Sequence, residues 1–261
     1  MRYLLLILAS VLVLPLFAQK EKPAKDAQAQ QQAMQQAMAA MMGNKDCKID
    51  DNYQFDHQFT SELRTFNNKG KLENTFKIRN LLKNQSNISG TEILESNIQE
   101  MPQSTVIMNL ETKKMITLVD QGGMKMAMCM DMDNPLIKSY MGEAEKEGTE
   151  SRDKLGKMTK TGKTKTILGY QCEEWIAKDE EMSYKFWISD KSDIPMQEFY
   201  KNLGEQGAAS PMAIGAKFPG KGMLMSLEGQ SLKNQERIEM EVVEIKPKTK
   251  KTLSTVGYNK F

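Results

Sequence analysis

The chain has 261 residues and nearly balanced charge, with 36 lysines and arginines against 34 aspartates and glutamates and a single histidine. Acids and bases are interspersed instead of gathered into blocks, which disfavours a nucleic-acid partner. The length is ample for a real core and suits one large β domain or two small ones.

Met1-Arg2-Tyr3 precedes an apolar run from Leu4 to Phe17, and Ala18 stands before Gln19-Lys20-Glu21. One basic residue, an apolar stretch too short for a comfortable span and a small residue at the cleavage point make the pattern of a signal peptide over residues 1–18. The mature chain is therefore expected to be periplasmic or secreted, and not an integral membrane protein. Three cysteines, Cys47, Cys129 and Cys172, allow at most one internal disulfide in that oxidising setting. The expected pair is Cys129 with Cys172, since both sit in strand-like segments.

Residues 19–46 are rich in Gln, Ala, Lys and Met and read as a tether or weak helix, with Met34, Met38, Met41 and Met42 on one helical face. The rest, 47–261, reads as a single β-rich domain. Tyr53, Phe55, His57, Phe59, Ser61 and Leu63 alternate with polar residues as in one half-buried strand. Asn67-Asn68-Lys69-Gly70 turns it into a return strand marked by Phe76, Ile78, Asn80 and Leu82, and Ile88 to Leu94 follows as a third strand. Thr105 to Met132 reads as a meander of three strands, turned at Glu111-Thr112-Lys113-Lys114 and at Gln121-Gly122-Gly123. Ser139 to Gly162 reads as a loop or short helix. A strand from Thr164 crosses a kink at Gly169 and continues to Ile176, and Met182 to Ser189 returns, so that this hairpin carries both Trp175 and Trp187. Asp193 to Leu203 has the capping and periodicity of a helix. Strands over Lys221–Leu227 and Glu236–Lys246 follow, the second bulged at Val243, with an edge strand from Leu253 to Tyr258. The alternation patterns total about eleven or twelve strands with one or two helices.

The last strand of the meander carries Met124, Met126, Met128, Met130 and Met132 at every second position. In an extended chain all five thioethers project from one face, opposite Lys125, Ala127, Cys129 and Asp131. Such a row is a core face, the lining of a cavity for an apolar ligand, or a soft-metal copper site completed by Cys129. Against copper, alternate side chains on a strand stand roughly 7 Å apart, and the one histidine is distant in sequence.

No catalytic constellation stands out. Thr161-Gly162-Lys163-Thr164 ends like a P-loop, but the spacing from Gly156 is one residue too long and the segment opens a strand. His57 lies on the aromatic face of its strand, as a core histidine would. There is no nucleophile elbow, no zinc pair and no EF-hand loop around Asp131 and Asp133. The chain is expected not to be an enzyme, and no cofactor or metal is implied.

The stretches Ile107-Met108-Asn109-Leu110 to Lys114-Met115-Ile116-Thr117-Leu118, Gly123-Met124-Lys125-Met126, Lys165-Thr166-Ile167-Leu168-Gly169-Tyr170-Gln171-Cys172-Glu173-Glu174-Trp175 and Phe186-Trp187-Ile188 resemble exported bacterial proteins classed as domain of unknown function 4412. That resemblance covers roughly Asn52 to the C-terminus and implies architecture, with no catalytic residues to carry over. In outline such proteins are similar to outer-membrane lipoprotein carriers, which implies an open half-barrel covered by helices and holding acyl chains.

The expected fold is mainly β (α+β), a curved antiparallel sheet or open half-barrel whose concave face carries the methionine row and the aromatic hairpin, with the 193–203 helix across it. The expected function is binding or carrying an apolar ligand, a lipid or a lipidated partner. Met124, Met126, Met128, Trp175, Phe186 and Trp187 are the candidate lining residues, with the strand phase leaving open which of Phe186 and Trp187 faces inward. The alternatives are soft-metal handling by the methionines with Cys129, and non-enzymatic scaffolding of the cell envelope.

Overall fold

Among the described residues fourteen strands form where the sequence alternates: β1 (Asn52–Phe55), β2 (His57–Phe66), β3 (Leu72–Leu82), β4 (Ile88–Ser96), β5 (Gln103–Asn109), β6 (Lys114–Gln121), β7 (Met124–Asp131), β8 (Thr159–Ile167), β9 (Tyr170–Lys178), β10 (Met182–Ser189), β11 (Met223–Ser231), β12 (Arg237–Lys246), β13 (Lys251–Ser254) and β14 (Asn259–Lys260). The computed structural model of the chain describes residues 47–84, 87–98, 101–121, 123–134, 158–194, 196 and 222–261. Twelve strands make one curved, unclosed sheet in the order β14-β7-β6-β5-β4-β3-β2-β12-β11-β10-β9-β8, while β1 and β13 pair as a separate ribbon. The sheet is mixed where a purely antiparallel one was expected, because β14 runs parallel to β7. A tail arriving from another sheet is not bound by hairpin connectivity, so either direction is open to it.

Local chemistry accounts for the other departures. The expected strand from Tyr53 to Leu63 is two strands in different sheets, parted at Asp56. There the carboxylate accepts the Asn84 amide at 2.9 Å and the Asp56 amide donates to Leu82 at 2.9 Å. Gly169 is no kink in a continuing strand. Leu168 (φ 50°) and Gly169 (φ 83°) are the two central residues of a tight turn joining β8 to β9, both in the left-handed region that such hairpins require. Strand β8 also starts at Thr159, inside the expected loop. The bulge at Val243 forms as expected, with the β12–β2 register shifting between Val242 and Glu244. The expected last edge strand is instead β13, in the ribbon, followed by β14 on the main sheet. The signal segment, the 19–46 tether and most of the 139–162 and 193–203 segments lie outside the described residues. At the start of the last of these, Ile194 and Met196 are buried.

The disulfide joins Cys47 to Cys129, with Cα atoms 5.8 Å apart, and Cys172 is a buried free thiol. The expected Cys129–Cys172 pairing fails on distance. Strands β7 and β9 are nine steps apart in the sheet, about 40 Å along its arc at ~4.8 Å per step, far beyond the reach of a disulfide.

Register assigns each side chain to a face. On one face of β3 to β7, the cross-strand row Leu81, Gly90, Ile107, Ile116 and Cys129 is buried under the β1–β13 ribbon together with Tyr53, Phe55 and Leu253. Further along the same face, ion pairs take over: Arg79–Glu92 (3.0 Å), Arg64–Glu239 (3.5 Å) and Lys185–Glu228 (2.7 Å). The opposite face is mainly apolar, interrupted by Thr117, Thr91 and Asn80 and, on the far arm, by the Lys160–Glu173 ion pair.

The ribbon packs close over Gly90, where an added Cβ would stand 3.1 Å from Phe55 Cζ and 3.4 Å from two Leu81 carbons. Gly90→Val is expected to destabilise the fold by roughly 1–3 kcal/mol through overpacking, read from urea unfolding. An unchanged midpoint would show that the Phe55 ring can retreat. Replacing Cys47 and Cys129 together by alanine is expected to lower stability by about 2–4 kcal/mol in the same assay.

Candidate functional site

The apolar face is built from two cross-strand rows. One runs Met128, Thr117, Val106, Thr91, Asn80, Phe59 and Ile245, over seven strands from β7 to β12. The other runs Phe76, Leu63, Met240, Leu227, Phe186 and Trp175, from β3 to β9. Phe59 and Leu63 both lie on β2 four residues apart and thus on the same face, so the methionine strand and the aromatic hairpin look the same way. They occupy opposite arms of the sheet, with seven strands between β7 and β10.

Five of the six expected lining residues share this face: Met124, Met126, Met128, Trp175 and Phe186. Trp187 follows Phe186 and so points to the other face, where Lys165 Nζ stands 4.5 Å from the centroid of its ring. Exposure along β7 is graded. Met124 is 58% exposed, Met126 and Met128 are half-buried, and Met130 is 4% exposed in a cluster with Val106 and Met115. Between them Ala127 and Cys129, on the ribbon side, are sealed. From Met126 to Met130, strand β7 thus turns the compact Ala127 and Cys129 to the ribbon and its flexible methionines to the other face.

Polar groups that the sequence reading did not single out lie inside this face. Asn80, Ser104 and Thr117 are buried, and Asn80 Nδ2, Ser104 Oγ and Thr117 Oγ1 have no hydrogen-bond partner among the described residues. The sequence signal was available: Ser104 and Thr117 interrupt otherwise apolar alternations with Val106 and Val119.

The soft-metal reading loses its thiolate, because Cys129 is bonded to Cys47 on the opposite face of β7 from the thioethers. Among the described residues no group of three or more His, Cys, Asp and Glu could hold a metal ion. His57 is a structural histidine as expected. Its Nε2 lies 2.6 Å from Asn84 Oδ1, and its Nδ1 accepts the Lys248 amide at 3.3 Å.

The segment that ends like a P-loop has a structural use. Between Lys160 and Thr164 the β8–β9 register slips, and the bulge brings Thr161 Oγ1 to 2.7 Å and Lys163 Nζ to 3.5 Å from the buried Glu174 carboxylate. The Thr161 hydrogen bond, with the nearby Lys163 charge, holds the Glu174 carboxyl below its ordinary pKa. A depressed carboxylate stabilises the fold above its unfolded pKa, and that contribution disappears as pH falls through the folded value. Glu174→Gln is therefore expected to melt below the parent at neutral pH, with the gap closing as pH drops beneath the ordinary glutamate range. A gap constant from pH 7 to pH 3 would show that Glu174 acts through shape alone.

No curated protein matches the chain. Among solved structures, PNGF-II is 10% identical over 78% of this chain and 30% of that one, with a TM-score of 0.34, so the chain spans less than a third of that protein. An uncharacterized conserved protein from Thermus thermophilus is 7% identical over 82% and 87% of the two chains, with a TM-score of 0.35. A putative outer membrane lipoprotein-sorting protein domain from Vibrio parahaemolyticus is 9% identical over 84% and 92%, with a TM-score of 0.29. At these identities and TM-scores the likenesses establish neither a ligand nor a partner for this chain. The family model described as domain of unknown function (DUF4412) matches residues 59–254, and the chain belongs to that family.

Proposed function

We propose that the protein is an exported, non-enzymatic envelope protein that binds or carries an apolar ligand, a lipid or a lipidated partner, on the sheet face that carries the methionine row. The observation that supports this is the asymmetry of β7. Ala127 and Cys129 on its ribbon side are sealed, while Met124, Met126 and Met128 remain partly exposed on the other side of the same strand. A merely structural strand next to the sheet edge would be expected to put polar side chains at such exposed positions. Three adjacent thioethers instead offer apolar surface without a fixed shape, which suits chains of varied length and saturation. Trp175 and Phe186 extend that face on the far arm. Export rests on the signal-peptide pattern over residues 1–18, and no helix among the described residues is long and apolar enough to cross a membrane.

Native mass spectrometry of the mature protein, purified gently from its own host, tests the reading. Adducts of heterogeneous mass in the lipid range are expected, and a bare polypeptide mass would put scaffolding ahead. In a titration with an apolar fluorophore, Met126→Gln with Met128→Gln is expected to weaken binding about tenfold or more, while the corresponding leucine pair binds nearly as the parent does. The estimate follows from burying two thioether side chains at ~1.5–3 kcal/mol each, partly offset by the apolar stem of glutamine. Equal affinity for parent and glutamine variant would remove these residues from the site.

A further inference from the structure

Thr117 and Ser104 are the part of the apolar face that burial of apolar surface does not explain. Their side chains are 0% and 4% exposed, and neither hydroxyl has a hydrogen-bond partner among the described residues. An unpaired hydroxyl in such surroundings is destabilising, whereas valine and alanine would occupy nearly the same space without that cost.

Register shows where the two hydroxyls point. Thr117 pairs with Val106 on β5, and Ser104, two residues before Val106, pairs with Val119 on β6. The two are therefore diagonal neighbours on one face, with Cα atoms about 7–8 Å apart across the strand pair, a spacing that suits two donors to one ester group. On the outer side, Thr117 is flanked by Met128 and Val119 by Met126. Thr117 thus lies one strand and Ser104 two strands inside the half-exposed methionines, behind side chains with three rotatable bonds each.

Resting on the apolar-ligand reading above, we propose that Ser104 and Thr117 donate hydrogen bonds to the carbonyl end of an acyl chain. The ligand is then an ester- or amide-linked acyl amphiphile, as distinct from a bare hydrocarbon, and its tail lies over Met126 and Met128. The methionines supply adaptable contact along the tail, and the hydroxyls set its depth. Asn80 lies three strands from Thr117, about 14 Å at ~4.8 Å per strand, and takes no part in the same contact.

Two lysophospholipids of identical headgroup and chain length, 1-palmitoyl-lysophosphatidylcholine and its 1-hexadecyl ether analogue, differ at this point only by the carbonyl. Their affinities for the mature protein, measured by calorimetry below the micellar concentration, test the assignment. The ester is expected to bind about fivefold tighter, the size of one neutral hydrogen bond. In Thr117→Val with Ser104→Ala that preference is expected to vanish while ether affinity stays unchanged, and the thermal midpoint of the free protein is expected to rise. A merely structural role for the hydroxyls would lower it. Ser104→Ala alone, the milder change, is expected to halve the preference or more if the double variant folds poorly. Equal binding of ester and ether by the parent, or a preference that survives the double substitution, would overturn the carbonyl contact and leave the apolar-ligand reading standing. Binding of neither lipid would overturn both.

Discussion

The closure of one sheet face by the β1–β13 ribbon is the constraint on which the rest of the architecture depends. A sheet of twelve strands has two faces to account for, and an apolar face left open costs about 25 cal/mol per Å² exposed. The ribbon, made from the two ends of the described chain, covers β3 to β7 on one side with Tyr53, Phe55 and Leu253. Gly90 lacks a side chain where Phe55 packs close, and the Cys47–Cys129 bond fixes the same layer to β7. Thr255 and Lys260 add hydrogen bonds to the Asp50 and Ile49 carbonyls, so the chain ends are held together polar group by polar group. A strand sealed on that side can be apolar on the other only if something else covers it or uses it, and this gives the methionine row its interest.

Electrostatics complete the division of labour between the faces. Beyond the ribbon, the closed face carries cross-strand ion pairs such as Arg79–Glu92 and Lys185–Glu228, directly opposite one another in the ladder. An exposed pair such as Lys185–Glu228 contributes little stability, commonly ~0–1 kcal/mol. Their effect is directional: a strand phase shifted by one residue would carry these charges into the apolar face and the methionines out of it. The sheet's open edges are managed separately. Strand β8 alternates threonine with Lys160, Lys163 and Lys165 around a bulge, which discourages edge-to-edge pairing, and β7 is capped by β14.

Period-two alternation alone determined most of the strands, the mainly β class, the hairpin at Asn67–Gly70 and the bulge at Val243, because each is a local pattern read against the pleat. The same alternation put the five methionines on one side of β7 and Cys129 on the other, and a turn or strand phase is recoverable whenever its cause lies within a few residues. What only the tertiary structure decided are matters of strand order. The cysteine pairing followed from β7 and β9 lying at opposite ends of the sheet, while Cys47, in a segment without strand character, sits beside β7. The break at Asp56 depended on Asn84, twenty-eight residues away, and the reversal at Gly169 on Leu168 adopting a conformation that leucine rarely takes. Phe186 and Trp187 alternate equally well in either phase, and pairing with Leu227 placed Phe186 on the methionine side. Thr117 looked like an ordinary strand residue and Ser104 lay just before the expected strand, until register set them diagonally across β5 and β6 behind Met126 and Met128. Alternation reports which side a residue faces, but only long-range pairing reports what else is on that side.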